Sequence, residues 1–226
     1  MSSNWDGDFS YPNSNMLRNN FNLYNSGEAG LLYLIERKIT TNTVKKLLER
    51  SEGKTIKVKD FDLPFLQGLH KEIFSGVYPW AGHMRTFNMA KGDTSFCPAD
   101  YIATQGEYIR QKIQDTNYLR DMSKEDFAYK STELFDLVND LHPFREGNGR
   151  TQRVFFTLLG RQAGYELDFS KIPSELHNEA AIRAAHGDKR MLLDHFRKIV
   201  APLREPNNVE LLAVTKELFL GRELTR

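Results

Sequence analysis

One cysteine in 226 residues, Cys97, cannot form an internal disulfide, and a reducing cytosol is its simpler setting. No Cys-His signature surrounds it, so the thiol reads as a small semi-buried side chain and not a nucleophile. No apolar run approaches the ~20 residues of a membrane span. The opening stretch MSSNWDGDFSYPNSN is polar and acidic, unlike a secretory leader. An excess of one charge is also missing: Lys plus Arg is 31 and Asp plus Glu is 30, a net charge of +1. That balance gives no reason to expect nucleic acid or an anionic membrane as the main partner. Any phosphate chemistry must come from a local basic cluster. Internal repeats and low-complexity stretches are lacking, and His70, His83, His186 and His195 show no zinc-ligand spacing.

What is present is ordinary for one globular domain: 40% hydrophobic and 27% charged residues. Residues 1–25 form an expected irregular segment, 26–202 the folded domain, and 203–226 an extension, read as a linker toward a further domain. The periodicity predicts a mostly α-helical fold. Leu31, Leu34 and Ile35, then Val44, Leu47 and Leu48, suggest two short helices between Ser26 and Arg50. Leu63, Leu66, Leu69, Ile73 and Phe74 mark a helix over Asp60–Ser75. Further helices are expected at Tyr101–Asp115, from Ser123 (with Asp126 as cap partner) to Leu141, and at Gly149–Ala163 closed by Gly164. Pro173–Ala185, Asp188–Val200 and Val209–Leu220 complete the set. Between them, His83–Pro98 reads as a β-hairpin turning at Lys91-Gly92-Asp93.

The informative stretch is residues 142–153, HPFREGNGRTQR. His142 ends an apolar-striped helix and can accept a proton near neutral pH. Pro143 stops that helix, and Phe144, the one large apolar residue in the loop, anchors it. Gly147, Asn148 and Gly149 precede a new helix, where backbone N–H groups converge on an anion. Arg150 and Arg153 share one face of that helix, and two guanidiniums beside an amide nest suit a polyphosphate. Glu146 among them needs a cation, and Mg²⁺ bridging carboxylate and phosphate resolves the conflict. Each feature alone is commonly structural; the reading rests on all of them within twelve residues.

This stretch resembles the signature of the Fic family, His-x-Phe-x-Asp/Glu-Gly-Asn-Gly-Arg-x-x-Arg, at every specified position. The likeness runs from about residue 10 to about residue 200, taking in Tyr11–Asn13 and the Trp80-Ala81-Gly82 turn. It implies a single helical bundle with a protruding hairpin flap, and transfer of AMP from ATP to a protein hydroxyl. His142 would then be the base and Glu146 the Mg²⁺ ligand. Gly147, Asn148 and Gly149 would cradle the phosphates, and Arg150 and Arg153 would grip the outer ones. In the flap, Thr86, Phe87, Asn88 and Met89 would dock an extended target by strand addition. Lys91, Gly92, Asp93 and Thr94 would cover the nucleotide. His177 and Asn178 would line an adenine pocket.

Many family members also carry an inhibitory helix with the pattern Ser/Thr-x-x-x-Glu-Gly/Asn. Only Glu52 and Glu146 are followed here by Gly or Asn, and four residues before them stand Leu48 and His142. The resemblance therefore implies a separate antitoxin-like protein that supplies the glutamate, or an unrestrained enzyme. It implies action in the bacterial cytoplasm or, after secretion, in a host cell. A UTP, GTP or choline-nucleotide donor stays open, since the phosphate motif does not read the base. A non-catalytic nucleotide-binding module is the reading from another class, with His142 and Glu146 against it.

Overall fold

The computed structural model describes residues 8–51, 58 and 60–203. The expected helix at Val209–Leu220 and Glu52 lie outside them. Seven α-helices and two small antiparallel ribbons make up the described chain. The first helix, α1, is one continuous element, Ala29–Ser51, and not the two short helices expected. Its buried stripe is Leu32, Glu36, Thr40, Leu47 and Ser51, while Leu31 and Leu34 face solvent. A polar residue at three of the five inward positions weakens the apolar period, which is why the periodicity picked the wrong face.

Helix α2, Leu63–Phe74, starts at Asp62, whose carboxylate accepts from the Phe65 amide at 2.8 Å. That bond satisfies one of the orphan donors at a helix start. Leu66, Leu69, Ile73 and Phe74 form its buried stripe, as the spacing predicts. Helix α3 spans Ile102–Asp115 and α4 spans Lys124–Leu141. At the start of α4 the Ser123 hydroxyl accepts from the Asp126 amide, the expected cap pairing. Helix α5, Asn148–Ala163, is buried over nearly its whole length and stops at Gly164 in the left-handed region. It packs on α1, α2, α4 and the ribbon after it, which makes it the central post of the bundle.

Helices α6, Ser174–Ala185, and α7, Arg190–Ile199, close the far side. The periodicity did not predict the ribbon that joins β3, Tyr165–Leu167, to β4, Val200–Pro202. Strands of three residues leave too short a pattern to detect. The described part of the N-terminal segment is tied down rather than loosely wrapped. Phe9 and Met16 enter the core, Phe9 packs edge-on to Trp80, and the Trp80 indole N–H donates to the Arg18 carbonyl.

The hairpin is shorter than expected. Strand pairing is confined to β1, Ala90–Lys91, against β2, Thr94–Ser95, with one further bond from the Phe96 amide to the Met89 carbonyl. Residues 86–88 are not strand, because Arg85 Nη1 donates back to the Phe87 carbonyl and the Asn88 side chain accepts from the Ala99 amide. Those local bonds curl the arm out of the ladder.

Candidate active site

Three pieces of chain meet around one cavity of about 590 Å³: the loop between α4 and α5, the hairpin, and the start of α6. His142 forms the end of α4 with φ +40° and ψ +57°. Left-handed backbone is costly for a non-glycine residue, and here it turns the imidazole toward the cavity. The Asn139 carbonyl, 3.2 Å from Nδ1, accepts its proton. That bond sets the tautomer and leaves Nε2 as the lone-pair nitrogen on the cavity side. Phe96 lies flat on the ring. Burial, followed by the nearby charges of Arg85 and Lys91, lowers the His142 pKa to about 4, against a backbone hydrogen bond that raises it. The imidazole is therefore neutral at physiological pH and able to accept a proton.

The loop that follows is held from below. Phe144 is fully buried and stacks on His70 at 3.9 Å. His70 accepts from the Gly82 amide at Nδ1 (2.8 Å), and its Nε2–H donates to the Glu146 carbonyl (2.9 Å). It thus links the Trp80-Ala81-Gly82 turn to the anion loop as a neutral strut, with its pKa lowered to about 3, chiefly by burial. Asn148 turns its side chain inward: Oδ1 accepts from the Phe144 amide and Nδ2 donates to the Phe144 carbonyl. Its side-chain amide thus closes the loop on itself, while Asn148 still lines the cavity. Gly147 sits at φ +84°, and its N–H donates to the Glu146 carboxylate at 2.8 Å. An anion thus already rests on that amide.

The two arginines have different surroundings. Arg150 lies over the Phe74 ring, donates to Thr40 Oγ1 at 2.9 Å, and is ion-paired with buried Glu36 of α1. Arg153 also lines the cavity, and among the described residues no carboxylate lies within ion-pair distance of it. Burial, then Arg150, lowers its pKa below the usual guanidinium value. Arg153 is thus a buried cavity cation that an incoming anion can neutralise.

The hairpin is latched to the loop by Arg85, a residue the sequence reading missed. It is 2% exposed. Its guanidinium donates to the carbonyls of Leu141, His142, Phe87 and Cys97, and its own amide donates to the Pro143 carbonyl. Of the hairpin residues expected at the site, Phe87, Met89, Lys91 and Thr94 line the cavity. Thr86 and Asn88 are exposed outside the lining, and Gly92 and Asp93 form the exposed tip. On α6, Asn178 lines the cavity, with Ser174, Ala181 and Ile182. His177 does not: it is buried among Phe135, Phe169 and His195, one helical step away from the cavity face. Adjacent residues on a helix point about 100° apart, and the rotation of α6 that turns Asn178 to the cavity turns the His177 ring into the core. Glu36, Thr40 and His70 also escaped notice. Their only signal was polar residues on the buried faces of α1 and α2.

Comparison with known proteins agrees with this geometry. The family model described as Fic/DOC matches residues 60–159. A probable protein adenylyltransferase of Sinorhizobium fredii is 35% identical over 191 residues, covering 84% of this chain and 94% of that protein. A probable protein adenylyltransferase Fic of Escherichia coli K12 is 35% identical over 143 residues, covering 63% of this chain and 72% of its own. The chain belongs to the Fic/DOC family. Among solved structures, the N-terminal Fic domain of a VirB-translocated effector from Bartonella quintana, with bound ADP, superposes with a TM-score of 0.76. It is 29% identical, covering 87% of this chain and 95% of that one. Among the described residues no helix is long and apolar enough to cross a membrane.

Proposed function

We propose that this protein transfers AMP from ATP to a Ser, Thr or Tyr hydroxyl of another protein. The observation that carries the reading is the neutral imidazole of His142, its Nδ1 committed to Asn139, opening with Arg153 and the α5 N-terminus onto one cavity. The target oxygen attacks the α-phosphorus as its proton passes to His142 Nε2. The bond from that phosphorus to the oxygen bridging to the β-phosphate breaks, and pyrophosphate leaves. Positioning and charge stabilisation do most of the work in such transfers. The amides at the start of α5 and the guanidinium of Arg153 stabilise the outer phosphates.

Among the described residues that line the cavity, Glu146 is the carboxylate suited to Mg²⁺. No group of three or more His, Cys, Asp or Glu side chains that could hold a metal occurs among the described residues. Mg²⁺ commonly takes one or two carboxylates plus substrate phosphates, and Glu146 is a half-exposed carboxylate at the cavity. When bound there, the ion would neutralise phosphate charge. The relatives' names support the activity, and the ADP bound by the Bartonella quintana domain supports the nucleotide class. The regulatory partner we propose is a small antitoxin-like protein whose glutamate pairs with Arg153, since that guanidinium lacks a carboxylate among the described residues.

Incubation with ATP labelled in the α-phosphate, Mg²⁺ and a cell lysate tests the proposal. Transfer should add one AMP to a protein, read by intact mass. His142→Ala should reduce transfer by about 10²–10⁴-fold, far more than any loss of folded protein seen by thermal melting explains. Equal labelling by that variant would remove His142 from the mechanism. Label from the γ-phosphate would mean kinase chemistry.

A further inference from the structure

The most unusual buried group outside the loop is Glu36. It is 7% exposed in the middle of α1, and its carboxylate has two side-chain partners: the Tyr78 hydroxyl and the Arg150 guanidinium. One turn on, Thr40 accepts from Arg150 Nη1 at 2.9 Å while its own hydroxyl donates to the Glu36 carbonyl at 2.8 Å. Phe74 lies beneath the same guanidinium, 4.7 Å from ring centre to Cζ. Arg150 is therefore gripped on three sides by α1 and α2, its Nη2 also lies 3.6 Å from the Glu146 carboxylate, and the side chain lines the cavity. A carboxylate taken out of water is costly unless paired and hydrogen-bonded. A partner of both kinds is what makes a glutamate tolerable there.

We infer that Glu36 is a positioning residue for the transfer reaction, fixing Arg150 as a half-neutralised post against the β-phosphate while Arg153 supplies the uncompensated charge. This rests on the proposed use of a nucleoside triphosphate. The sequence at Glu36 lacks the inhibitory pattern (it is followed by Arg37 and preceded at four residues by Leu32). It also engages Arg150 and not Arg153. A planar guanidinium loses little entropy on binding once its fork is fixed, so the clamp acts before the nucleotide arrives. Loosening it should weaken contacts to the β-phosphate alone.

The test is calorimetric titration of the protein and its Glu36→Gln variant with ADP and with AMP, in Mg²⁺. Glu36→Gln keeps the shape and removes the charge. It should weaken ADP binding roughly ten-fold, the scale of one charge-assisted contact, and leave AMP binding unchanged. Should the glutamine variant fold poorly, Thr40→Val removes the second acceptor from the same guanidinium. It should weaken ADP binding by roughly three-fold, the scale of one neutral hydrogen bond, with AMP again unaffected. Equal ADP affinity in parent and variants overturns the inference, as does an equal loss for ADP and AMP. Tighter ADP binding by Glu36→Gln would mean that the carboxylate restrains Arg150, which also overturns it. A parent that binds neither nucleotide overturns the proposed function, and the inference with it.

Discussion

The phenyl ring of Phe96 and the imidazole of His142 lie face to face, with ring centroids 3.7 Å apart and planes 13° from parallel. Phe96 follows the second hairpin strand, and its amide bonds the Met89 carbonyl. The flap thus serves the proposed base directly: it shields one face of the ring and contributes to the burial that keeps it neutral.

A pH profile reports that arrangement. His142 titrates at about 4 rather than near the usual histidine value. A lowered pKa means the basic form persists into acid. The acid limb of kcat/KM, which follows the free enzyme, should fall only as pH drops toward about 4, with no inflection near 6.5. In Phe96→Ala, water reaches the ring, and the acid limb should move upward toward the ordinary value. Initial rates across the acid range, for parent and variant, decide it. An unmoved limb in the variant would show that the shielding comes from elsewhere.

Arg85 holds four carbonyls from the buried junction of α4, loop and hairpin. Replacing it with Met keeps the bulk and orphans those acceptors. The expected loss is about 3–5 kcal/mol of stability, since each buried unsatisfied group costs roughly 1–3 kcal/mol. Urea unfolding monitored by circular dichroism measures it. A loss below about 1 kcal/mol would mean that water replaces the guanidinium.

Gly147 has no room for a side chain. Its φ is +84°, and a Cβ placed there would stand 2.3 Å from Phe74 Cζ. Gly147→Ala should cost about 2–5 kcal/mol from backbone strain and overpacking together. Because Phe74 also lies under Arg150, transfer activity should fall further than stability alone explains. Thermal melting and AMP transfer on the same preparation separate the two effects.

His70 and His177 are buried and His142 is partly so, and desolvation lowers their pKa values to about 3, 4 and 4 for His70, His142 and His177. In the unfolded chain they protonate near 6.5, so the unfolded state binds more protons between that value and the folded pKa. Stability should hold above about pH 6.5 and fall below it, by up to about 1.4 kcal/mol per pH unit for each group. Urea midpoints between about pH 7 and about pH 5 check the slope. His70→Gln should flatten it while lowering stability at neutral pH, because the strut between Gly82 and Glu146 is weakened.

The motif at residues 142–153 was legible because its parts are adjacent in sequence. Proline and glycine act there through local backbone geometry, and histidine and arginine announce themselves by residue type and short spacing. Most helices were legible for the same reason, since a 3.6-residue period is written into each segment. The hairpin turn at Gly92-Asp93 was readable, but its strand length was not, because Arg85 and Asn88 curl the arm through bonds to Phe87 and Ala99 that a two-residue period does not encode. His177 was assigned to the wrong wall because a motif neighbour fixes sequence position and leaves helix rotation open.

By itself the sequence determined which side chains could hold a triphosphate and which could take a proton, because those follow from residue type and short spacing. Only the tertiary structure decided how each is used. Glu36 reaches Arg150 across 114 positions of chain, and Arg85 reaches the His142 carbonyl across 57. No local pattern encodes such pairs. They arise when packed helices bring buried polar groups together and each must find a partner away from water.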